Sequence, residues 1–317
     1  MKKLLGLALF LLVIYALLLV ANPGARSAQN HQNLGQRIGL HGINSLGVGI
    51  LIISGGIDLS IGATVGLCAT VMAMLLVDAH MNPVVAMLIT LALGAGIGLL
   101  NGLLVTRLKV QAFVVTLCGL FIYRGAARWL AGDQVKGLGN DFATFKLVLF
   151  HNQDVLGLPM SLVIFLVLCG LATVFLHMSV YGRYLFAIGS NEQAAKYAGI
   201  AVDRYRTLAY VLCSTLAALF SIIYLAENNS VQPSETGSFF ELYAIAGAVL
   251  GGCSLRGGEG SVLGIMIGTA IIWILPNFTK MWGVPSALEY TVIGVALLIG
   301  ALLDEILRRR SLAAAST

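Results

Sequence analysis

Ten long stretches of continuously apolar sequence leave this chain few ways to fold. They lie near residues 4–21, 38–54, 60–77, 83–104, 110–130, 159–177, 207–226, 240–255, 261–276 and 286–303. A helix needs roughly 20 mostly apolar residues to cross the hydrocarbon of a bilayer, and most of these runs approach that length. Membrane strands would show about ten residues of alternating polarity, which these runs do not. Apolar residues make up 58% of the 317 and charged residues only 10%, which excludes an ordinary soluble domain. The expectation is an all-α membrane protein, residues 1–317 forming a single polytopic domain of about ten transmembrane helices with glycine-broken segments. Lys2, Lys3 and the run at 4–21 followed by ANPGARSA have the outline of a cleaved leader. The run is long for one, and we expect it to be kept as the first span.

Basic residues orient the spans, because Lys and Arg collect on the cytoplasmic side. With the N-terminus inside, Lys2, Lys3, Arg107, Lys109, Arg183, Lys196, Arg204, Arg206, Arg256 and Arg308 to Arg310 face the cytoplasm, 12 of the 19 Lys and Arg. Both termini then fall inside, 181–206 is a cytoplasmic segment, and the loops at 131–158 and 227–239 face outward. The net charge of +5 follows from this orientation and calls for no nucleic-acid partner.

Several chemistries lack their residues. Cys68, Cys118, Cys169, Cys213 and Cys253 stand singly with no CxxC pair, which reads as small apolar packing. The five histidines are scattered, so no metal site is expected. There is no GxxxxGK[ST] phosphate loop, so this chain cannot hydrolyse ATP alone. No Ser/His/Asp arrangement suggests an enzyme.

Three polar interruptions stand out. SGGIDLSIG (54–62) puts Asp58 between apolar runs, where an unpaired carboxylate costs several kcal/mol, so Asp58 should face a cavity, another helix or a watery end rather than lipid. Asp58 could cap the third helix after a break at Gly55 and Gly56; alternatively the broken helix lines a path to which Asp58 and Ser60 show polar groups. Within YGRYLFAIGSNEQAAKYAGIAVDRYR (181–206), SNEQAAKYAGI predicts a short helix outside the bilayer, capped at Ser190 or Asn191 and stopped by Gly199. It is either a solvated connector or a docking helix with Ala194, Ala195 and Ala198 on its small face. GGCSLRGGEGS (251–261) loosely repeats the first break, and its Arg256 and Glu259 face inward as a turn, an inner gate or a partner contact.

SGGIDLSIG, NGLLVTRLKVQAFVVTLCGLFIYRG (101–125), AIGSNEQAAKYAGI (187–200) and FELYAIAGAVLGGCSLRGGEGSVLGIMIGTA (240–270) occur in an order and spacing that resemble ribose-type permeases, the transmembrane subunits of bacterial ABC importers for monosaccharides. The resemblance runs from about residue 34 to 305. It implies an inner-membrane permease working with a second permease subunit, identical or paralogous, with cytoplasmic ATPase subunits that hold ATP and Mg, and with a periplasmic sugar-binding protein. It also implies no cofactor on this chain. By the same resemblance Gly189, Asn191, Glu192, Ala194, Ala195, Gly199 and Ile200 form the segment that couples to the ATPase. Gly55, Gly56, Asp58, Ser60, Asn101, Thr116 and Glu241 are candidates for the translocation path. Asn101, Thr116 and Arg124 could instead bond helix to helix, and Glu241 could cap the eighth helix or line the outer mouth. Asp133, Asp141, Asp154, Glu227 and Glu235 are available to the outer partner. LALGAGIGLLNG (91–102) and LGIMIGTA (263–270) predict close helix packing. An ion-driven secondary carrier is the competing reading; it would need ionisable residues in the middle of several spans, and only Asp58 is placed to serve.

Overall fold

The computed structural model describes residues 2–139 and 158–283, with isolated positions 285, 288, 291, 294, 295 and 298 beyond. The tenth apolar run, Asp141, Asp154 and Arg308 to Arg310 lie outside this set, apart from those isolated positions. The helices are α1 (Lys2–Ala21), α2 (Ala28–Ile53), α3 (Ile61–Val77), α4 (Pro83–Thr106), α5 (Ala112–Leu130), α6 (Met160–Thr173), α7 (Val180–Ser190), α8 (Glu192–Tyr197), α9 (Val202–Asn228), α10 (Phe240–Leu250) and α11 (Val262–Met281). Two short strands, β1 (Lys136–Gly137) and β2 (Ser230–Val231), pair antiparallel and join the two loops expected outside. Five helical stretches among the described residues are long and apolar enough to cross a membrane: Pro83–Thr106, Ala112–Leu130, Met160–Met178, Val202–Asn228 and Val262–Met281.

α2 is the centre of the molecule. Every residue from Gly39 to Ile53 is buried, the mark of a helix enclosed on all sides. α6, α9, α10 and α11 pack around it. Glycines let them approach: Gly42 lies under the Phe165 ring, Gly47 against Cys213 of α9, and Gly49 against Ile265 of α11. α4 meets α9 along Gly94, Gly98 and Gly102, four residues apart, and Gly264 and Gly268 of α11 lie on Gly251 and Gly247. Both glycine-spaced stretches pack closely, as their spacing predicts. Outward residues such as Leu88, Phe121, Ile122 and Trp129 are exposed and apolar, as a lipid-facing surface requires.

Three features differ from the sequence expectation. α2 begins ten residues before its apolar run, because Ser27 caps it by accepting from the Asn30 N–H at 3.2 Å. An additional helix, α7, precedes the short one in 181–206, started by the Ser179 side chain accepting from Gly182 N–H. α10 has 11 residues and so rises only about 16 Å, roughly half the hydrocarbon thickness. The run at 240–255 is therefore not one full crossing helix. Its N-terminus meets that of α3, where the Glu241 carboxylate lies against Gly62.

Candidate functional site

The break between α2 and α3 is built by local bonds. The Ser54 hydroxyl donates to the Leu51 carbonyl at 2.7 Å, and Gly56 N–H returns to the same carbonyl at 3.0 Å. Gly55 takes φ +78, a left-handed conformation that glycine adopts without strain, and it turns the chain away from the helix axis. Asp58 follows, fully buried. It does not occupy the capping position of α3, which belongs to Ser60. Its Oδ1 accepts instead from Ser60 N–H at 2.8 Å and Ser60 Oγ at 2.6 Å, because two residues' separation suits an Asx turn better than a cap. Asn101 Nδ2 of α4 donates to Ser60 Oγ at 3.1 Å and lies 3.4 Å from Asp58 Oδ2. Tyr123 of α5 donates its hydroxyl to Asn101 Oδ1 at 2.7 Å. Asp58 makes no ion pair with another described residue; neutral donors and the positive end of α3 meet its charge.

A second carboxylate approaches the same helix end. Glu241 bonds the Gly62 amide and its own amide, so α3 begins between Asp58 and Glu241. Nearby, Arg124 Nη1 donates to the carbonyls of Pro233 at 3.1 Å and Thr236 at 2.5 Å, holding the turn that leads into α10. Glu241 is thus enclosed at the meeting of two helix N-termini. Of the predicted path residues, Asp58, Ser60 and Asn101 form one network, and Gly55 and Gly56 make its turn. Thr116 stands apart, bonding the Ala112 carbonyl of its own helix at 2.9 Å. Asp58, Ser60, Asn101 and Thr116 are all enclosed in this conformation. Among the described residues no three His, Cys, Asp or Glu side chains cluster as metal ligands.

The predicted docking helix is α8. Asn191 caps it by accepting from Ala194 N–H at 2.9 Å, and Gly199, at φ +80, ends it. Glu192 pairs with Lys196, and with Arg206 of α9 at 2.8 Å. Those partners, Lys196 first, hold its carboxyl down at about 2 against an ordinary 4.5. Ala195 is buried against Ile188 and Val202, so it anchors the helix to the protein. The expectation that Ala194, Ala195 and Ala198 share an outward small face is corrected accordingly: Ala195 is buried, while Gln193, Ala194, Lys196, Tyr197 and Ala198 are exposed. Ile200 is half-buried beneath the helix.

Glycines join this segment to both breaks. Gly189, at the end of α7, touches the Ile53 carbonyl and the Gly257–Gly258 backbone. Gly258 N–H donates to the Ile53 carbonyl at 2.9 Å. Gly55, Gly189 and Gly257 therefore meet backbone to backbone, bringing three separately quoted motifs to one junction. Sequence reading missed Tyr123, Tyr210 and Arg206; Tyr210 donates its hydroxyl to the Ile57 carbonyl at 3.0 Å.

A helical, multi-pass membrane protein with a buried polar junction at broken helices has the architecture of a transport permease. Residues 33–301 match the family described as branched-chain amino acid transport system / permease component, and the chain belongs to it. It is 36% identical over 299 residues to the ribose import permease protein RbsC of Bacillus subtilis (strain 168), covering 94% of this chain and 91% of the relative. It is 35% identical over 294 residues to RbsC of Escherichia coli (strain K12), covering 93% and 91%. It is 35% identical over 302 residues to the autoinducer 2 import system permease protein LsrC of Enterobacter sp. (strain 638), covering 95% and 86%. No solved structure matches.

Proposed function

We propose that this chain is the permease subunit of an ATP-driven importer for a monosaccharide or a similarly small polyhydroxyl solute, placed in the inner membrane with both termini cytoplasmic and about ten apolar runs embedded. The observation that carries the proposal is the likeness to import permeases along nearly the whole chain. A neutral solute needs hydrogen-bonding groups without a counter-charge, and the Asp58–Ser60–Asn101–Tyr123 network offers neutral donors and acceptors around one shielded carboxylate. Those residues, with Gly55, Gly56, Glu241 and Thr116, are the candidates for the path. Transport would proceed by alternating exposure of the path to the two sides.

ATP and Mg would sit on a separate cytoplasmic ATPase docked at 189–200, opposite a periplasmic binding protein, and a second permease copy or paralogue would complete the path. The exposed Gln193, Ala194, Tyr197 and Ala198 face of α8 supports the docking, since a protruding helix with an aromatic tip suits a groove. Copurification tests it. Tagged wild-type permease should retain the ATPase, and Gly199→Trp should insert normally yet import less per ATP hydrolysed. Wild-type coupling in Gly199→Trp would remove the docking assignment.

A further inference from the structure

Docking at α8 is useful only if displacement there reaches the break that carries Asp58. Two side chains of α9 span that interval. Arg206 and Tyr210 are four residues apart and share one helix face. One guanidinium nitrogen of Arg206 donates to Glu192 Oε2 of α8 at 2.8 Å, and another reaches the Ser54 carbonyl at 3.5 Å. Tyr210 donates to the Ile57 carbonyl at 3.0 Å. The same face therefore holds the first and fourth residues of the break by their backbone, while one of the two side chains also holds α8. Gly258 N–H fixes the neighbouring Ile53 carbonyl, so the start of the break is held from two elements. Arg206 Nε is buried and bonds no other described residue, so its other guanidinium nitrogens make the contacts to Glu192 and Ser54.

Resting on the reading of 189–200 as the ATPase-facing segment, we propose that Arg206, steadied by Tyr210, is the positioning residue that transmits movement of α8 to the 54–60 break and so to the Asp58 network. The planar fork of arginine makes this feasible, because separate N–H groups can hold a carboxylate and a carbonyl at once. A lysine ammonium is a point charge on a flexible stem and would serve one partner at a time.

The test uses the complete complex of permease, ATPase and binding protein, with Cys118→Ser removing the exposed native thiol. An environment-sensitive fluorophore is attached at Ala198→Cys, the exposed residue that ends α8, or at Leu59→Cys, in the break. ATP should change both signals in the otherwise wild-type complex. In Arg206→Met the signal at 198 should persist while that at 59 falls about tenfold, within the usual range for coupling between sites. Arg206→Lys and Tyr210→Phe, which keep the charge or the ring and hence the fold, should reduce the signal at 59 by smaller factors. An undiminished signal at 59 in these variants, or no wild-type signal at 59 beside a clear one at 198, would overturn the proposal. No wild-type signal at 198 would remove the docking reading on which it rests.

Discussion

Gly189→Ala should be among the most damaging single-methyl changes in the protein. Gly189 is helical, so alanine suits its backbone and the cost is purely steric. The added methyl would overlap the Ile53 carbonyl oxygen and the Gly258 amide nitrogen, both backbone atoms that cannot rotate aside. It would also separate the 2.9 Å bond between them. Overpacking of this kind costs about 1–3 kcal/mol and a lost buried hydrogen bond about 1 more, giving roughly 2–4 kcal/mol. At about 2–4 °C per kcal/mol the melting temperature should fall by on the order of 10 °C. Gly96→Ala is the matched control: Gly96 is also helical, but nothing lies within 4 Å of its new methyl. That change should leave stability equal or raise it by about 0.5–1 kcal/mol. The assay is thermal loss of the monodisperse peak of detergent-purified protein. A Gly189→Ala variant melting within about 2 °C of Gly96→Ala would refute the tight junction of the three glycines.

Further outcomes follow from the same contacts. The Glu192 carboxyl is lowered to about 2 in the folded protein from 4.5, so its pairing contributes fully above about 4.5 and is lost as pH falls toward 2. The melting difference between wild type and Glu192→Gln should therefore be constant from about pH 8 to 5 and shrink below about pH 4; a difference that changes near neutrality would contradict the pairing. Asp58→Asn keeps an acceptor for Ser60, and the Asn101 amide can turn over to receive it, so the cost should be about 1 kcal/mol. Asp58→Leu strands the Ser60 amide and the Asn101 amide and should cost about 2–5 kcal/mol; equal melting of the two variants would dismiss the network. Arg124→Met leaves the Pro233 and Thr236 carbonyls without their donor, at a cost of about 3 kcal/mol. It should make the 232–239 turn more susceptible to limited proteolysis, and unchanged cleavage would show that Arg124 does not hold the turn.

Much of the fold could be read from hydropathy, and the reasons for the rest are specific. Each of the nine apolar runs within the described residues coincides with a helix, because apolar continuity over a span is a local property. The polar start of α2 was invisible to hydropathy, since its AQNHQNLGQR stretch is helical through the Ser27 cap and contacts such as Asn30 with Asn277. The short α10 was hidden because its apolar run continues past the end of the helix at Leu250. In the candidate site, Gly55, Asn191 and Gly199 were legible from turn and cap chemistry, which acts within a few residues, whereas Asp58 read as a cap and instead closes a turn onto Ser60. Tyr210 and Tyr123 were not, because an aromatic residue in an apolar helix reads as packing until its partner is known. The Tyr210 partner, Ile57, lies 153 positions away. Arg206 counted only as one more cytoplasmic positive charge, although its value lies in reaching Glu192 and Ser54 together.

The central claim is that this chain forms the path of an ATP-driven importer, and the most direct measurement is uptake into proteoliposomes carrying the permease, its ATPase and its binding protein. A panel of radiolabelled monosaccharides and small polyols should show one that accumulates only with ATP at the ATPase and with binding protein present, and whose uptake survives collapse of proton and sodium gradients. Accumulation driven by an ion gradient in the absence of any ATPase would contradict the account.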